Sequence, residues 1–438
     1  MTHPSHPVAS GRADDVHRIL DAVWRMESPR LIAALTRIVR DVGLAEDLAQ
    51  DALEAAIRQW PGAGIPDRPA AWLMGTAKHR AIDALRRQAT LQRKTEELGR
   101  DLEPEQGSAA DLDAAIDDAA IGDNMLRLVF ICCHPVLSVD ARVALTLRLL
   151  GGLRTDEIAR AFLVSEPAIG QRIVRAKRTL SEAHVPFEVP RGTNFDARLA
   201  SVLQVVYLVF NEGYSATSGE DWVRPALCED ALRLGRVLAR LVPDEPEVHG
   251  LVALMEIQGS RMRARTDPTG KPIPLLEQHR ARWDRLLIDR GLAALARAES
   301  FEGPRGPYVL QAAIAACHAR ARTADETDWP RVVALYDALA QSAPSPIVAL
   351  NRSVAVSMAF GPAAGLELVD ALATEPSLQA YHLLPAVRGD LLMKVGRFDE
   401  AASELARAAS MTRNAPERNL LLERARAAGE AALDAYTR

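Results

Sequence analysis

Residues 153–180 read LRTDEIARAFLVSEPAIGQRIVRAKRTL and contain two helical patterns separated by a short turn. Thr155 is positioned to cap the first helix, and the two acidic residues after it lie where the helix dipole favours negative charge. Residues 163–164 form the predicted turn. Ser165 is positioned to cap the second helix, with Pro167 in the first turn, where a missing N–H costs little. The stretch predicts a helix-turn-helix.

The second helix of this pair is basic. Its polar positions are Gln171, Arg172, Arg175, Lys177 and Arg178. The positions expected to pack inward are Ala168, Ile173, Val174 and Leu180. A basic second helix is typical of a recognition helix that enters the major groove. Taken alone, the same pattern also fits an ordinary helical hairpin with a solvated basic face.

The composition of the 438 residues indicates a helix-rich globular protein of two or three domains, because 48% are hydrophobic and only 5% aromatic. The N-terminus has no apolar signal core and no apolar run reaches membrane-spanning length, so a cytoplasmic protein is expected. The four cysteines show neither a disulfide framework nor a metal-ligand spacing. We therefore expect a reducing compartment and no metal or cofactor. The cysteines are Cys132, Cys133, Cys228 and Cys317.

Charge is divided unevenly along the first half of the chain, although the whole chain has a net charge of -5. Residues 95–123 hold ten acidic residues and a single arginine, whereas the rest of residues 1–187 is net basic. We assign residues 95–122 as an acidic linker between two basic regions. Such a linker acts either as a solvated spacer or as a mimic of nucleic acid on a basic groove.

The linker is preceded by three predicted helices and a basic segment. Residues 1–13 are expected to form a floppy tail, and helices are predicted over residues 14–42, with an interruption at Ser28-Pro29, and over residues 45–60. The outer face of the third helix is acidic, which fits a docking surface for a basic partner or a solvated face. This face comprises Glu46, Asp47, Asp51 and Glu54.

Residues 61–69 form a predicted Pro/Gly loop, and residues 71–88, AWLMGTAKHRAIDALRRQ, form a basic helix that begins with a tryptophan. Such a helix suits phosphate contact and base stacking. It also fits a solvated basic helix with a core tryptophan. Downstream, residues 124–150 predict two helices broken at His134-Pro135, the second capped by Ser138, that complete a four-helix module with the helix-turn-helix.

In this order the motifs resemble the core of an extracytoplasmic-function (ECF) sigma factor of bacterial RNA polymerase, over residues 14–186. The resemblance implies a sigma region two at residues 14–94 and a region four at residues 123–186. It also implies two partners, core RNA polymerase and promoter DNA. Residues 61–69 correspond to the loop that captures a flipped base of the −10 element, although they lack the usual Asn-rich or aromatic character.

The resemblance further implies three sets of binding residues. The residues implied to bind the β′ clamp of core polymerase are Asp47, Gln50 and Asp51. The residues implied to engage the −10 element are Trp72, Lys78, His79, Arg80, Asp83, Arg86 and Arg87. The residues implied to read the −35 element are Ser165, Ala168, Gln171, Arg172, Arg175 and Lys177.

About 250 residues follow the sigma-like part, and residues 187–300 predict a helical extension. An apolar helix over residues 195–210 ends in a polar turn with Asn211, Glu212 and Tyr214. These side chains fit a regulatory ligand pocket, an interdomain hydrogen-bond hub or a local capping network.

From residue 301 to residue 438, helical pairs recur with a period near 34, which predicts tetratricopeptide-like repeats with a groove for a protein or peptide partner. YLVFNEGYSA, at residues 207–216, and LYDAL, at residues 335–339, resemble the ECF branch with a long C-terminal tetratricopeptide extension. That resemblance implies control by the protein's own extension.

The sequence as a whole predicts an all-α protein with two small sigma domains followed by a repeat domain. Its predicted function is promoter-directed transcription initiation without catalysis by the chain itself. The alternative is a stand-alone helix-turn-helix regulator with a repeat scaffold, which would need neither the acidic-faced helix nor the linker. No P-loop, HExxH, GxSxG or GxGxxG context supports an enzyme.

Overall fold

A computed structural model of the chain describes residues 8–96 and 118–436, and this part is almost entirely helical, as predicted. It divides into two compact units, Met1–Val205 and Val206–Arg438. No helix among the described residues is long and apolar enough to cross a membrane.

Eight helices begin in the described part of the first unit. They are α1 (Val8–Val39), α2 (Val42–Ala63), α3 (Pro69–Glu96), α4 (Asp118–Cys132), α5 (Val139–Leu149), α6 (Thr155–Phe162), α7 (Glu166–Glu182) and α8 (Thr193–Tyr214). Helices α1, α2 and α3 pack on one another, and α4 packs on α1. Most of the predicted linker, residues 97–117, lies outside the described residues, as do residues 1–7 of the predicted tail.

Helix α1 departs from the sequence prediction at its start and in its interior. It is already helical at residues 8–13, which were assigned to the tail, and it continues through Pro29 without the predicted break. A proline inside a helix removes one hydrogen bond and costs about 3 kcal/mol. Leu31, Ile32 and Leu35, directly after it, are almost fully buried, and their burial offsets that cost.

The loop before α3 is shorter than predicted. Residues 61–63 continue α2 for most of a turn, and the helix ends at Gly64, which has a φ of 86° and donates its N–H to the carbonyl of Trp60. Only glycine adopts this backbone conformation easily. The turn therefore comprises residues 64–68.

The helix-turn-helix and the break before it form as predicted. The chain leaves α4 at Cys132 and re-enters a helix at Val139, where Ser138 Oγ accepts the N–H of Ala141 at 3.3 Å. Leu163, with a φ of 50°, makes the turn between α6 and α7.

The described part of the second unit is a succession of helices. They are α9 (Pro225–Leu241), α10 (Pro246–Gly259), α11 (Arg285–Glu299), α12 (Pro307–Arg320), α13 (Trp329–Ser342), α14 (Pro346–Phe360), α15 (Pro362–Leu372), α16 (Leu383–Lys394), α17 (Phe398–Met411) and α18 (Ala415–Tyr436). From α12 onward each helix packs on the next, which is the packing order expected of helical repeats. Their tetratricopeptide-like character stays a prediction.

The start and the end of the second unit are joined. The two-residue strand β1 (Ser218–Gly219) pairs in parallel with β2 (Arg413–Asn414). Asn414 is fully buried, and its Nδ2 donates to the carbonyls of Ala216 at 3.1 Å and Asp221 at 2.9 Å. The loop after α8 is thereby fixed to the beginning of the last helix.

The boundary between the two units falls within α8, later than the boundary at residues 186–187 expected from the sequence. The first half of α8 packs beside the helix-turn-helix module. Arg198 Nη2 donates to the carbonyl of Phe130 at 2.6 Å, and Ser201 Oγ donates to that of Cys133 at 2.8 Å. Carbonyls at the C-terminal end of α4 are thus capped by α8 side chains.

Candidate nucleic-acid interface

Helix α7 presents one buried face and one exposed face, at helical spacing. The buried side chains are Ile169, Ile173, Ala176 and Leu180. Of the four positions predicted to pack inward, Ile173 and Leu180 do so. Ala168 is exposed, and the side chain of Val174 is 63% exposed. The prediction was wrong at these two positions because Ile169, a larger apolar residue one step along, takes the inward position next to the turn.

Four of the six residues expected to read the −35 element are exposed: Ser165, Ala168, Gln171 and Arg175. Ala168, Gln171 and Arg175 recur at steps of three and four, so they lie on one side of the helix. Arg172 is partly buried, and its guanidinium lies 3.7 Å from Asp140 at the start of α5. The exposed side of α7 therefore combines a guanidinium, an amide and a small side chain, which suits base-edge contact.

Lys177 does not lie on this exposed side. Its ammonium forms an ion pair with Glu46 of α2, and it lies 3.9 Å from Asp47 Oδ1. The Lys177 side chain is only 18% exposed. In this conformation Lys177 binds the region-two helix rather than being free for DNA.

Glu46 is the centre of a buried ionic network that the sequence did not predict. The expected outer acidic face of α2 included Glu46, but this residue is only 3% exposed. Arg148 Nε of α5 donates to Glu46 Oε1 at 2.6 Å, and Gln50 Nε2 donates to the same atom at 2.9 Å. With Lys177, the network joins α2, α5 and α7. One sequence feature could have indicated it: Arg148 interrupts the apolar run of residues 143–150.

The start of α6 differs from the prediction in its cap. Arg154, rather than Thr155, occupies the N-cap position, and Thr155 is the first helical residue. Glu157 Oε2 accepts the N–H of Arg154 at 2.8 Å, while Glu157 Oε1 lies 2.5 Å from Arg25 of α1. Glu157, in the first turn, thus accepts a backbone N–H at the start of α6 that has no partner within the helix. It also links α6 to α1 through its ion pair with Arg25.

The face of α2 expected to bind polymerase is partly free. Side chains of Asp47 and Asp51 are 75% and 55% exposed. Gln50, the third predicted residue, is hydrogen-bonded to Glu46 and half-buried. Arg80 of α3 lies 3.4 Å from Asp51, so the acidic face borders the basic helix.

Helix α3 divides the residues expected to engage the −10 element into two groups. His79, Asp83, Arg86 and Arg87 are exposed. Trp72, Lys78 and Arg80 are half-buried, and the ring of Trp72 meets that of buried Trp60 edge-on, with centroids 5.5 Å apart. Trp72 therefore has a structural contact and also keeps part of its ring accessible.

Cys132 and Cys133 lie in the core of the module, and His134 beside them is half-buried. Burial raises the pKa of Cys133 to about 11, so the thiol stays protonated at neutral pH. Burial lowers the pKa of His134 to about 4. No group of three or more His, Cys, Asp or Glu side chains within the described ranges is arranged to hold a metal ion.

The predicted hub after the apolar helix is held by contacts within the second unit. Glu212 forms an ion pair with Arg224 and accepts from Thr217 Oγ1 at 3.0 Å, and Tyr214 OH accepts from Arg261. Asn211 is exposed and hydrogen-bonded to Tyr207. These contacts form a local network and do not show the interdomain hub that the sequence left open; a regulatory ligand pocket stays a prediction.

Comparison with protein families agrees with this geometry. Residues 23–90 match sigma-70 region 2, and residues 127–180 match sigma-70 region 4. Residues 198–299 match a family of unknown function, DUF6596. The two sigma regions coincide with the helices that carry the exposed acidic and basic faces. These two matches support the class of alternative RNA polymerase sigma factors, which act in transcription initiation.

Individual relatives extend the comparison beyond the sigma regions. An uncharacterized protein of Rhizobium meliloti (strain 1021) is 44% identical over 393 residues, which cover 89% of this chain and 91% of that protein. The chain belongs to the same family as this Rhizobium protein.

Two named sigma factors match a smaller part of the chain. The ECF RNA polymerase sigma factor SigK of Mycobacterium ulcerans is 29% identical over 39% of this chain and 94% of its own length. The probable ECF RNA polymerase sigma factor SigI of Mycobacterium tuberculosis is 25% identical over 40% of this chain and 58% of its own length. No solved structure matches the chain.

Proposed function

We propose that this sigma factor binds core RNA polymerase through Asp47 and Asp51 of α2 and directs initiation in the cytoplasm at promoters that α7 and α3 recognise. The single observation that carries this proposal is that the two sigma regions expose faces of opposite charge. An acidic face lies on α2, and a basic, polar face lies on α7. These are complementary to a basic protein surface and to DNA, respectively.

Residue roles follow from exposure. Gln171 and Arg175 project from α7 and are proposed to contact base edges or phosphates of the −35 element. Arg86 and Arg87 extend from α3 and are proposed to contact phosphates near the −10 element. Lys177 is proposed to act instead as an interhelical contact, because Glu46 already occupies it.

The test is reconstituted transcription. Purified full-length protein is mixed with core RNA polymerase and a library of promoter fragments, and promoter-directed transcripts are measured. We expect core binding that is weakened when Asp47 and Asp51 are both changed to Asn. The control is Asp21→Asn, an exposed acid on α1 outside the acidic face of α2. Sequence-specific DNA binding without any core binding would instead identify a stand-alone helix-turn-helix regulator.

The second unit is proposed to set the activity of the first and to bind a protein or peptide partner along its repeats. Three observations support this proposal: the size of the second unit, the β1–β2 pairing that joins its start to its end, and the unit boundary within α8. We compare the full chain with a chain ending after residue 205, where the first unit ends. This variant keeps the α8 side chains Arg198 and Ser201, which cap α4. Altered promoter activity per bound core enzyme supports the proposed control, and equal activity contradicts it.

A further inference from the structure

A cluster of arginines in the second unit lies against aromatic rings, and the described residues supply it with no carboxylate partner. The guanidinium of Arg265 lies 3.7 Å from the ring centre of Tyr214 and 5.5 Å from that of Trp222. Arg261 lies 5.5 Å from the Tyr214 ring and 5.7 Å from that of Trp283. Arg265 is only 8% exposed. Buried guanidinium groups normally require an acid, because desolvating a lone charge is costly.

The nearby buried acid does not compensate these charges. Glu212, two residues before Tyr214, is already paired with Arg224. Both Arg261 and Arg265 reach the hydroxyl of Tyr214, which is a single neutral acceptor. Across residues 8–96 and 118–436, no carboxylate lies within ion-pair distance of either arginine.

The same cluster contains three buried N–H donors for which the described part of the chain supplies no acceptor. They are Arg261 Nε, Arg265 Nε and Trp283 Nε1. Buried donors in native proteins are almost always satisfied, so a group of three that all lack an acceptor needs an explanation. One shared acceptor from outside the chain would satisfy donors of this kind.

Arg280, in the same segment, is an arginine whose guanidinium is hydrogen-bonded by the chain itself, and it serves as a comparison. Its Nη1 donates to the carbonyls of His318 and Ala321, the latter at 2.8 Å, and its Nη2 donates to Thr327 Oγ1 at 3.2 Å. Several chain acceptors therefore surround its guanidinium. Among the residues that the structure describes, Arg261 and Arg265 have only the Tyr214 hydroxyl as a side-chain acceptor, which distinguishes them from Arg280.

The electrostatic surroundings are positive. Burial, and then the charges of Arg261 and Arg280, lower the pKa of His318 to about 4. Burial lowers the pKa of Arg265, and the charge of Arg261 lowers it further. An anion placed here would gain from both guanidinium groups in a poorly solvated environment.

We propose that Arg261, Arg265 and Trp283 form a binding site for a small oxyanion, either a phosphate or a carboxylate group. Planar guanidinium groups match such oxyanions in geometry, and the aromatic rings hold them in fixed orientations. The site lies in the segment that matches the family of unknown function, and it does not depend on the proposed role in transcription.

The test uses the full chain and four probes: inorganic phosphate, sulfate, malonate and, at matched ionic strength, chloride. Binding is measured by calorimetric titration and by the thermal midpoint of the second unit. Wild-type protein is compared with Arg265→Gln. The matched control is Arg263→Gln, since Arg263 is exposed and lies in the same short 3-10 turn, Met262–Ala264.

We expect at least one oxyanion to bind wild-type protein and raise its thermal midpoint relative to chloride. Arg265→Gln should weaken that binding about tenfold or more, the effect of losing one charge-assisted hydrogen bond, and Arg263→Gln should leave it unchanged. Binding of phosphate and sulfate alone identifies a phosphate-type ligand, and binding of malonate alone identifies a carboxylate.

Two results would overturn the proposal. One is a wild-type protein that responds to no oxyanion beyond the chloride control. The other is an oxyanion response that Arg265→Gln retains in full, because the ion then binds elsewhere. Should Arg265→Gln fail to fold, Arg261→Gln replaces it, and the same criteria apply.

Discussion

Arg175 and Lys177 show how two neighbouring basic residues of one helix differ in role. They lie two residues apart on α7, yet Arg175 is exposed and Lys177 forms an ion pair with Glu46. The difference arises because positions two apart on a helix point in nearly opposite directions. The basic character of the helix was predictable from the sequence. Which of its basic side chains are exposed, and which form an ion pair within the protein, was not predictable.

Arg175→Ala is expected to lower affinity for the −35 element by about 1–3 kcal/mol if the guanidinium contacts guanine in the bidentate manner. If it contacts phosphate, affinity should fall similarly for all sequences, with a shallower salt dependence. Binding of core-bound protein to promoter variants, at several salt concentrations, separates the two. The control is Arg263→Ala, an exposed arginine of the second unit, and unchanged affinity in Arg175→Ala on every sequence would refute both roles.

Glu46 is the residue on which the contact between the two sigma regions depends most directly. Glu46→Gln keeps the shape but leaves Arg148 and Lys177, both less than a fifth exposed, without their counter-charge. Breaking one side of a buried ion network costs about 3–5 kcal/mol. Urea unfolding of the first unit measures this loss. The control is Glu54→Gln on the exposed face of α2, and a Glu46→Gln transition equal to the control would contradict the buried network.

At the scale of the element, α7 is a helix that packing stabilises more than its own sequence does. Gly170 lies in its interior, where glycine is unfavourable compared with alanine. A Cβ added there would meet only Thr155 Cγ2 at 3.9 Å, an ordinary contact. Its neighbours Ile169 and Ile173 are buried. The existence of α7 was predictable from its pattern, but its buried side was predicted correctly only in part.

Gly170→Ala is therefore expected to stabilise the first unit by about 0.5–1 kcal/mol, which thermal or urea unfolding would show. The contrasting variant is Gly151→Ala at the end of α5, where the added Cβ would lie 2.4 Å from the carbonyl oxygen of Leu147. That variant should be destabilised. A loss of stability in Gly170→Ala would show that α7 does not have the free space found beside it.

Proline and glycine positions were the least reliable guides to the elements. Pro29 lies inside α1 and Pro61 inside α2, although both residues predicted breaks. His134-Pro135 does mark a break, because Ser138 then restarts the helix with a cap. Local sequence predicts where a helix is weak, but burial of the flanking residues decides whether it ends there.

At the scale of the whole molecule, the second unit contains a concentration of positive charge around buried His318. Arg261 at the end of α10 and Arg280 in a short turn both act on this histidine, whose ring also meets that of Trp329. Burial, together with these charges, disfavours the protonated form of the imidazole in the folded state and lowers the pKa of His318.

The pH dependence follows from that shift. The pKa of His318 is lowered to about 4 in the folded state, from an ordinary value of 6.5. Between pH 6.5 and pH 4, the imidazole therefore binds a proton in the unfolded chain but not in the folded chain. Stability of the second unit should fall as the pH is lowered through this window, by roughly 3 kcal/mol in total. Unfolding of wild type and His318→Gln across this range measures the effect. An identical pH slope in the two proteins would contradict it.

The sequence by itself determined the all-α class, the helix-turn-helix, the basic α3 and the order of motifs that resembles a sigma factor. These features depend on local spacing, capping and charge, which are read along the chain. Only the tertiary structure decided that Glu46 is buried, that Lys177 binds it, and that α8 contributes to both units. It also brought Arg261 and Arg265 against the rings of Tyr214, Trp222 and Trp283. Such contacts join residues that are distant in sequence. A charged side chain that would be solvated in water is buried there and depends on a partner to offset the loss of hydration.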